Sequence, residues 1–81
     1  MRLDKFLKVS RVIKRRTVAN EISEKGRILV NGQVAKPSKQ LKVGDIIEII
    51  GANSSTKLQI LIIPVGNVPA QMAETLYSLV E

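Results

Sequence analysis

Leu3, Phe6 and Leu7 recur at the i, i+3, i+4 spacing of an amphipathic helix, while Arg2, Lys5 and Lys8 fall three apart on its other side. The pattern predicts a short helix over residues 2–8, with Asp4 in the first turn, where an acid complements the helix dipole. Residues 9–16 read as a connection in which Val12 and Ile13 plug the core. Thr17 is the expected N-cap of a second helix that runs to about Lys25 and stops at Gly26. Val18, Ala19 and Ile22 form its expected buried face; Asn20, Glu21 and Glu24 form the wet one.

The period then changes. Ile28 to Val30 and Gln33 to Ala35 are β-prone runs separated by Asn31-Gly32, a pair that accepts the positive φ angles of a type I′ hairpin turn. A basic turn follows at Lys36-Pro37-Ser38-Lys39, and a second turn at Val43-Gly44-Asp45 leads into the apolar strand Ile46 to Ile50. Residues 51–56 read as a polar loop, and residues 57–63 as another strand that Pro64 stops. Pro69 then opens a helix over residues 70–80 with Met72, Ala73, Leu76 and Val80 as its apolar face. Helices followed by strands imply an α+β fold: two N-terminal helices packed on a small antiparallel sheet of four to five strands, with a C-terminal helix. The expected organisation is one domain over residues 1–81, comprising a core motif (1–50), sheet completion (51–65) and a terminal helix (69–80).

Charge changes this picture from a generic fold to a candidate binding surface. Twelve of the thirteen Lys and Arg residues lie in the first 42 positions beside three acids, so that half carries a net +9; the remaining 39 residues carry −3. A fold does not require this gradient, and a polyanion is its natural partner, nucleic acid above all. One Phe, one Tyr and no Trp argue against a surface that stacks several splayed bases, and favour one that reads phosphate and shape.

Two patches carry the cations. Arg2, Lys5 and Lys8 line the first helix, Arg11 follows it, and Lys14, Arg15 and Arg16 precede the second helix; all can grip phosphate. The other patch is Lys36, Lys39 and Lys42 with Arg27, which hairpin pairing brings near Lys36. Catalysis has little to work with. His and Cys are absent, the seven carboxylates form no obvious pair, and no serine has a His partner. No enzyme activity, cofactor or metal is expected. No apolar stretch reaches membrane-spanning length and charged residues follow Met1 directly, so a cytoplasmic location is expected.

A series of short motifs is more specific together than any one alone. Arg2-Leu3-Asp4-Lys5-Phe6-Leu7-Lys8, Ser10-Arg11, Arg15-Arg16-Thr17, Gly26-Arg27-Ile28, Val30-Asn31-Gly32 and Val43-Gly44-Asp45 together resemble the S4-type RNA-binding domain over residues 1 to about 50. The resemblance implies two helices on a small antiparallel sheet, with RNA gripped by the helical face. It carries Arg2, Asp4, Lys5, Arg15 and Arg16 over as RNA contacts, and Asp4 would cap the first helix or accept a hydrogen bond from RNA. The ending, Ala73 to Leu79, is similar to the terminal helix of short stand-alone members that act in bacterial ribosome-associated quality control. This second likeness implies binding to large ribosomal subunits that still hold peptidyl-tRNA, through ribosomal RNA and tRNA. It also implies support, through the ribosome, for a factor that adds an alanine tail to the stalled chain; the protein itself is expected to be a monomer. A general heat-shock ribosome-binding role, an in-trans RNA-binding accessory of a modifying enzyme and a DNA-binding regulator stay open at this point.

Overall fold

Leu3, Phe6 and Leu7 of the amino-terminal segment anchor the core, and Val9, Val12 and Ile13 pack partly buried against it. The computed structural model describes residues 1–13, 16–51, 53–66 and 68–80; Lys14, Arg15 and the side chain of Arg16 lie outside the described residues. Helix α1 spans Leu3–Val9 and buries Leu3, Phe6 and Leu7 completely, as its spacing requires. Arg2 is its N-cap. Val12 and Ile13 pack partly buried against the core. Helix α2 spans Arg16–Glu24, so Thr17 lies inside the first turn instead of capping it. Val18 is exposed, contrary to expectation; the buried side is Ala19 with Ser23, whose hydroxyl donates to Ala35 O at 2.6 Å. Ala19, Ile22 and Ser23 share one helix face at the i, i+3, i+4 spacing, and Val18 stands beside it.

The sheet has five antiparallel strands in the order β2-β1-β3-β4-β5. They are β1 (Ile28–Val30), β2 (Gln33–Val34), β3 (Ile46–Ile50), β4 (Ser55–Ile60) and β5 (Tyr77–Leu79). The β1–β2 turn is the expected one, with Asn31 at φ 53° and Gly32 at φ 84°. A Cβ at Gly32 would meet nothing within 4 Å, so only the backbone resists a side chain there. Gly32→Ala should therefore cost about 1 kcal/mol, read as a shift in the urea midpoint at unchanged slope. The turn is tied down from the far side. Asn31 Nδ2 donates to buried Asp45 at 3.1 Å, Lys42 N–H donates to the same carboxylate at 3.0 Å, and Ile46 N–H donates to Asn31 Oδ1 at 3.0 Å.

The carboxyl-terminal helix over 70–80 is not formed. Residues Ala70–Leu76 make a 3-10 helix, after which the chain straightens into β5 and pairs Leu58 with Leu79 and Ile60 with Tyr77. Ala73 and Leu76, three apart, are buried at the spacing of a three-residue turn, while Met72 is exposed. Without β5, strand β4 would present an open edge of N–H and C=O groups. Strand β4 also starts earlier and ends earlier than residues 57–63, because Leu61 and Ile62 turn their N–H groups to Leu76 O. One core joins α1 and α2 to the inner face of the sheet through Leu3, Phe6, Leu7, Ala19, Ile28, Ile47, Leu58 and Ile60. Among the described residues no helix is long and apolar enough to cross a membrane.

Candidate nucleic-acid interface

Burial of Leu3, Phe6 and Leu7 turns the opposite side of α1 outward. Lys5 and Lys8 are exposed there, and Arg11 continues the row at the same spacing beyond the helix end. Each three-residue step along a helix advances about 4.5 Å. Arg11 holds φ 60°, a left-handed conformation that an L side chain adopts at a cost. Its N–H donates to Lys8 O at 3.0 Å and closes the last turn. Among the described residues Lys5, Lys8, Arg11, Arg27, Lys36 and Lys39 take part in no ion pair.

Arg2 and Asp4 form a different kind of unit. Arg2 Nε and Nη2 donate to the two oxygens of Asp4 at 3.2 and 3.1 Å, and the Asp4 carboxylate is 1% exposed. Lys5 N–H donates to Asp4 at 2.8 Å, and Asn20 Nδ2 of α2 donates to it at 3.4 Å. Burial this complete removes Asp4 from direct contact with a ligand and makes it the holder of Arg2. Arg2 itself stays 45% exposed at the side chain.

The two basic patches, Arg2 to Arg16 and Arg27 to Lys42 in the sequence, are joined. Asp4 N–H donates to Pro37 O at 3.1 Å, Leu3 N–H donates to Lys39 O at 2.9 Å, and Arg2 bridges Gln40. The Lys36–Lys39 turn is thus docked on the start of α1, next to Arg2. Arg27 falls across from Lys36, because the register of Leu29 with Val34 continues to Ala35 N–H on Ile28 O. Lys42 is exposed and its N–H is committed to Asp45. Arg2, Lys5, Lys8, Arg11, Lys36 and Lys39 are therefore carried by one helix and the turn docked against it. Lys14, Arg15 and the Arg16 side chain, expected to extend this surface, lie outside the described residues. Asn20, Glu24 and Ser38, which line a groove beside Arg2, were not among the expected site residues. Nothing local marks them; they meet only when α2 packs on α1 and the turn.

Comparison with known proteins finds a family and a solved structure to which the chain is similar. The S4 domain model matches residues 1–47. The chain belongs to the S4 domain family. That S4 domain is 59% identical over 61 residues to the RQC P-site tRNA stabilizing factor of Streptococcus pneumoniae, a stretch covering 75% of this chain and 69% of that protein. It is 67% identical over 49 residues to the factor of the same name from Listeria innocua, covering 60% of this chain and 53% of that protein, so the match spans about half of the Listeria relative. The trimeric structure of Vibrio cholerae heat shock protein 15 superposes with a TM-score of 0.87 at 34% identity, covering 99% of this chain and 81% of that one.

Proposed function

We propose that this S4 domain is a non-catalytic RNA-binding factor of ribosome-associated quality control. It binds stalled large ribosomal subunits that carry peptidyl-tRNA, steadies the tRNA there, and thereby supports alanine tailing of the nascent chain by a separate factor. The observation that carries the reading is the 59% identity to a protein named as an RQC P-site tRNA stabilizing factor. The matched S4 segment, residues 1–47, also contains every candidate cation.

The chemistry is electrostatic and geometric. Lys5, Lys8 and Arg11 meet successive phosphates along one strand of structured RNA, with Lys36, Lys39 and Arg27 on the neighbouring turn and strand. Lys14, Arg15 and Arg16 join them as expected from the sequence. Asp4 holds Arg2 in place. The factor works as a monomer in the cytoplasm and needs no cofactor.

Sedimentation of tagged protein through a sucrose gradient tests this. It should travel with large subunits that contain tRNA, and Arg16→Ala should shift most of it to the top of the gradient without changing its melting temperature by more than a few degrees. Wild-type protein that remains at the top, or travels with an RNA-modifying enzyme instead, rejects the reading. The likeness to heat shock protein 15 favours a second role, ribosome binding after heat stress. Deleting the gene separates the two: loss of alanine tails at ordinary temperature supports the first, and a defect confined to heat-shocked cells supports the second.

A further inference from the structure

Two grooves meet at Arg2. One, of about 590 Å³, runs between α2 and the basic turn and is lined by Arg2, Asn20, Glu24, Lys36 and Ser38 among its residues. The other continues along α2 past Thr17 and Glu21 and shares Arg2, Asn20 and Glu24 with the first. Carboxylates are out of place in a groove that serves phosphate alone, since Glu21 and Glu24 repel it. They suit a ligand that offers hydrogen-bond donors while being attached to phosphate, and an unpaired nucleobase in RNA has that chemistry.

Arg2 supplies the platform that the scarcity of aromatic residues withholds. Its guanidinium is gripped along one edge by buried Asp4, at 3.2 and 3.1 Å, while the Arg2 side chain stays 45% exposed on the groove. A guanidinium plane fixed in this way stacks on a base as an aromatic ring does. Asn20 Nδ2 is directed to Asp4, which leaves the amide oxygen as a further acceptor on the groove. Lys36 and Lys39 stand next to it for the flanking phosphates.

We propose that this groove takes one unpaired RNA base, stacked on the Arg2 guanidinium, with its donor edge on the Glu24 carboxylate. Guanine fits best, because its N1–H and N2–H groups are adjacent donors that match the two oxygens of one carboxylate. The inference rests on the RNA-binding reading above and adds a base-reading site to a surface otherwise built for phosphate.

Fluorescence anisotropy on one hairpin RNA decides it, with a single bulged G, A or U or no bulge, at fixed salt. The wild-type chain should bind the bulged-G hairpin about tenfold tighter than the unbulged one. Glu24→Gln should bring that ratio to about one, and Arg2→Lys, which keeps the charge and loses the plane, should do the same. Lys5→Ala should weaken binding to all four hairpins together and leave the ratio intact. Equal wild-type affinity for bulged and unbulged RNA, or an undiminished ratio in Glu24→Gln, overturns the base site while phosphate binding stands. Absence of binding to every hairpin rejects the RNA-binding reading itself.

Discussion

Phe6→Ala should destabilise the protein by about 3–5 kcal/mol, the largest effect expected of any single substitution described above. Phe6 has no exposed surface and is the largest fully buried side chain among the described residues. It lies in the one core that links α1 to the sheet, where truncation leaves a cavity that neighbours on several elements cannot close together. The helix it anchors has seven residues, well under the roughly 12–15 at which a helix becomes stable alone in water. Helix α1 therefore exists because Leu3, Phe6 and Leu7 are buried, and Lys5 and Lys8 point outward for the same reason. A domain this small has roughly 5–12 kcal/mol in total, so the loss takes a large share. The melting temperature followed by circular dichroism should fall by roughly 15–30 °C. Leu79→Ala, at a position 66% exposed on β5, should move it by a few degrees at most. An unchanged melt in Phe6→Ala would show that the core is not organised around α1.

What the sequence made legible was local. The Leu3, Phe6, Leu7 stripe and the Asn31-Gly32 turn state their geometry within a few residues, and both form as read. The failures come where a distant partner decides. Met72, Ala73, Leu76 and Val80 satisfy a helical period, yet the exposed edge of β4 captures Tyr77–Leu79 as a strand, and strand formation depends on its neighbours more than on its own composition. Asp4 reads as a first-turn acid; its burial requires Arg2 from one side and Asn20, sixteen residues away, from the other. Contiguity of the two basic patches depends on the hydrogen bonds of Leu3 and Asp4 to Lys39 and Pro37, which no spacing rule contains. The Asn31–Asp45 pair is likewise visible as two motifs in sequence and as one contact only in the fold.

The combined substitution Lys5→Ala, Lys8→Ala and Arg11→Gly should lower RNA affinity about a hundredfold at 0.1 M salt while leaving the fold in place. All three side chains are exposed and lie outside the core. Lys8 sits in the last turn of α1, where a cation contributes about 0.3–1 kcal/mol through the helix dipole. Arg11 holds φ 60°, and glycine relieves about 1 kcal/mol of strain at such a position, so the two changes offset each other. The melting temperature should stay within a few degrees, which separates this variant from Phe6→Ala. Binding is another matter. Each phosphate neutralised steepens the log–log dependence of affinity on salt by about 0.7–0.9. If six phosphates are engaged, the wild-type slope is about −4 to −5, and removal of three cations should bring it to about −2. Each contact is then worth roughly five- to eightfold between 1 M and 0.1 M salt, and three together give about two orders of magnitude. The slope discriminates better than the affinity, because a variant weakened by partial unfolding loses affinity at every salt concentration alike. A variant that keeps both the wild-type melting temperature and the wild-type slope would move the phosphate contacts off Lys5, Lys8 and Arg11 altogether.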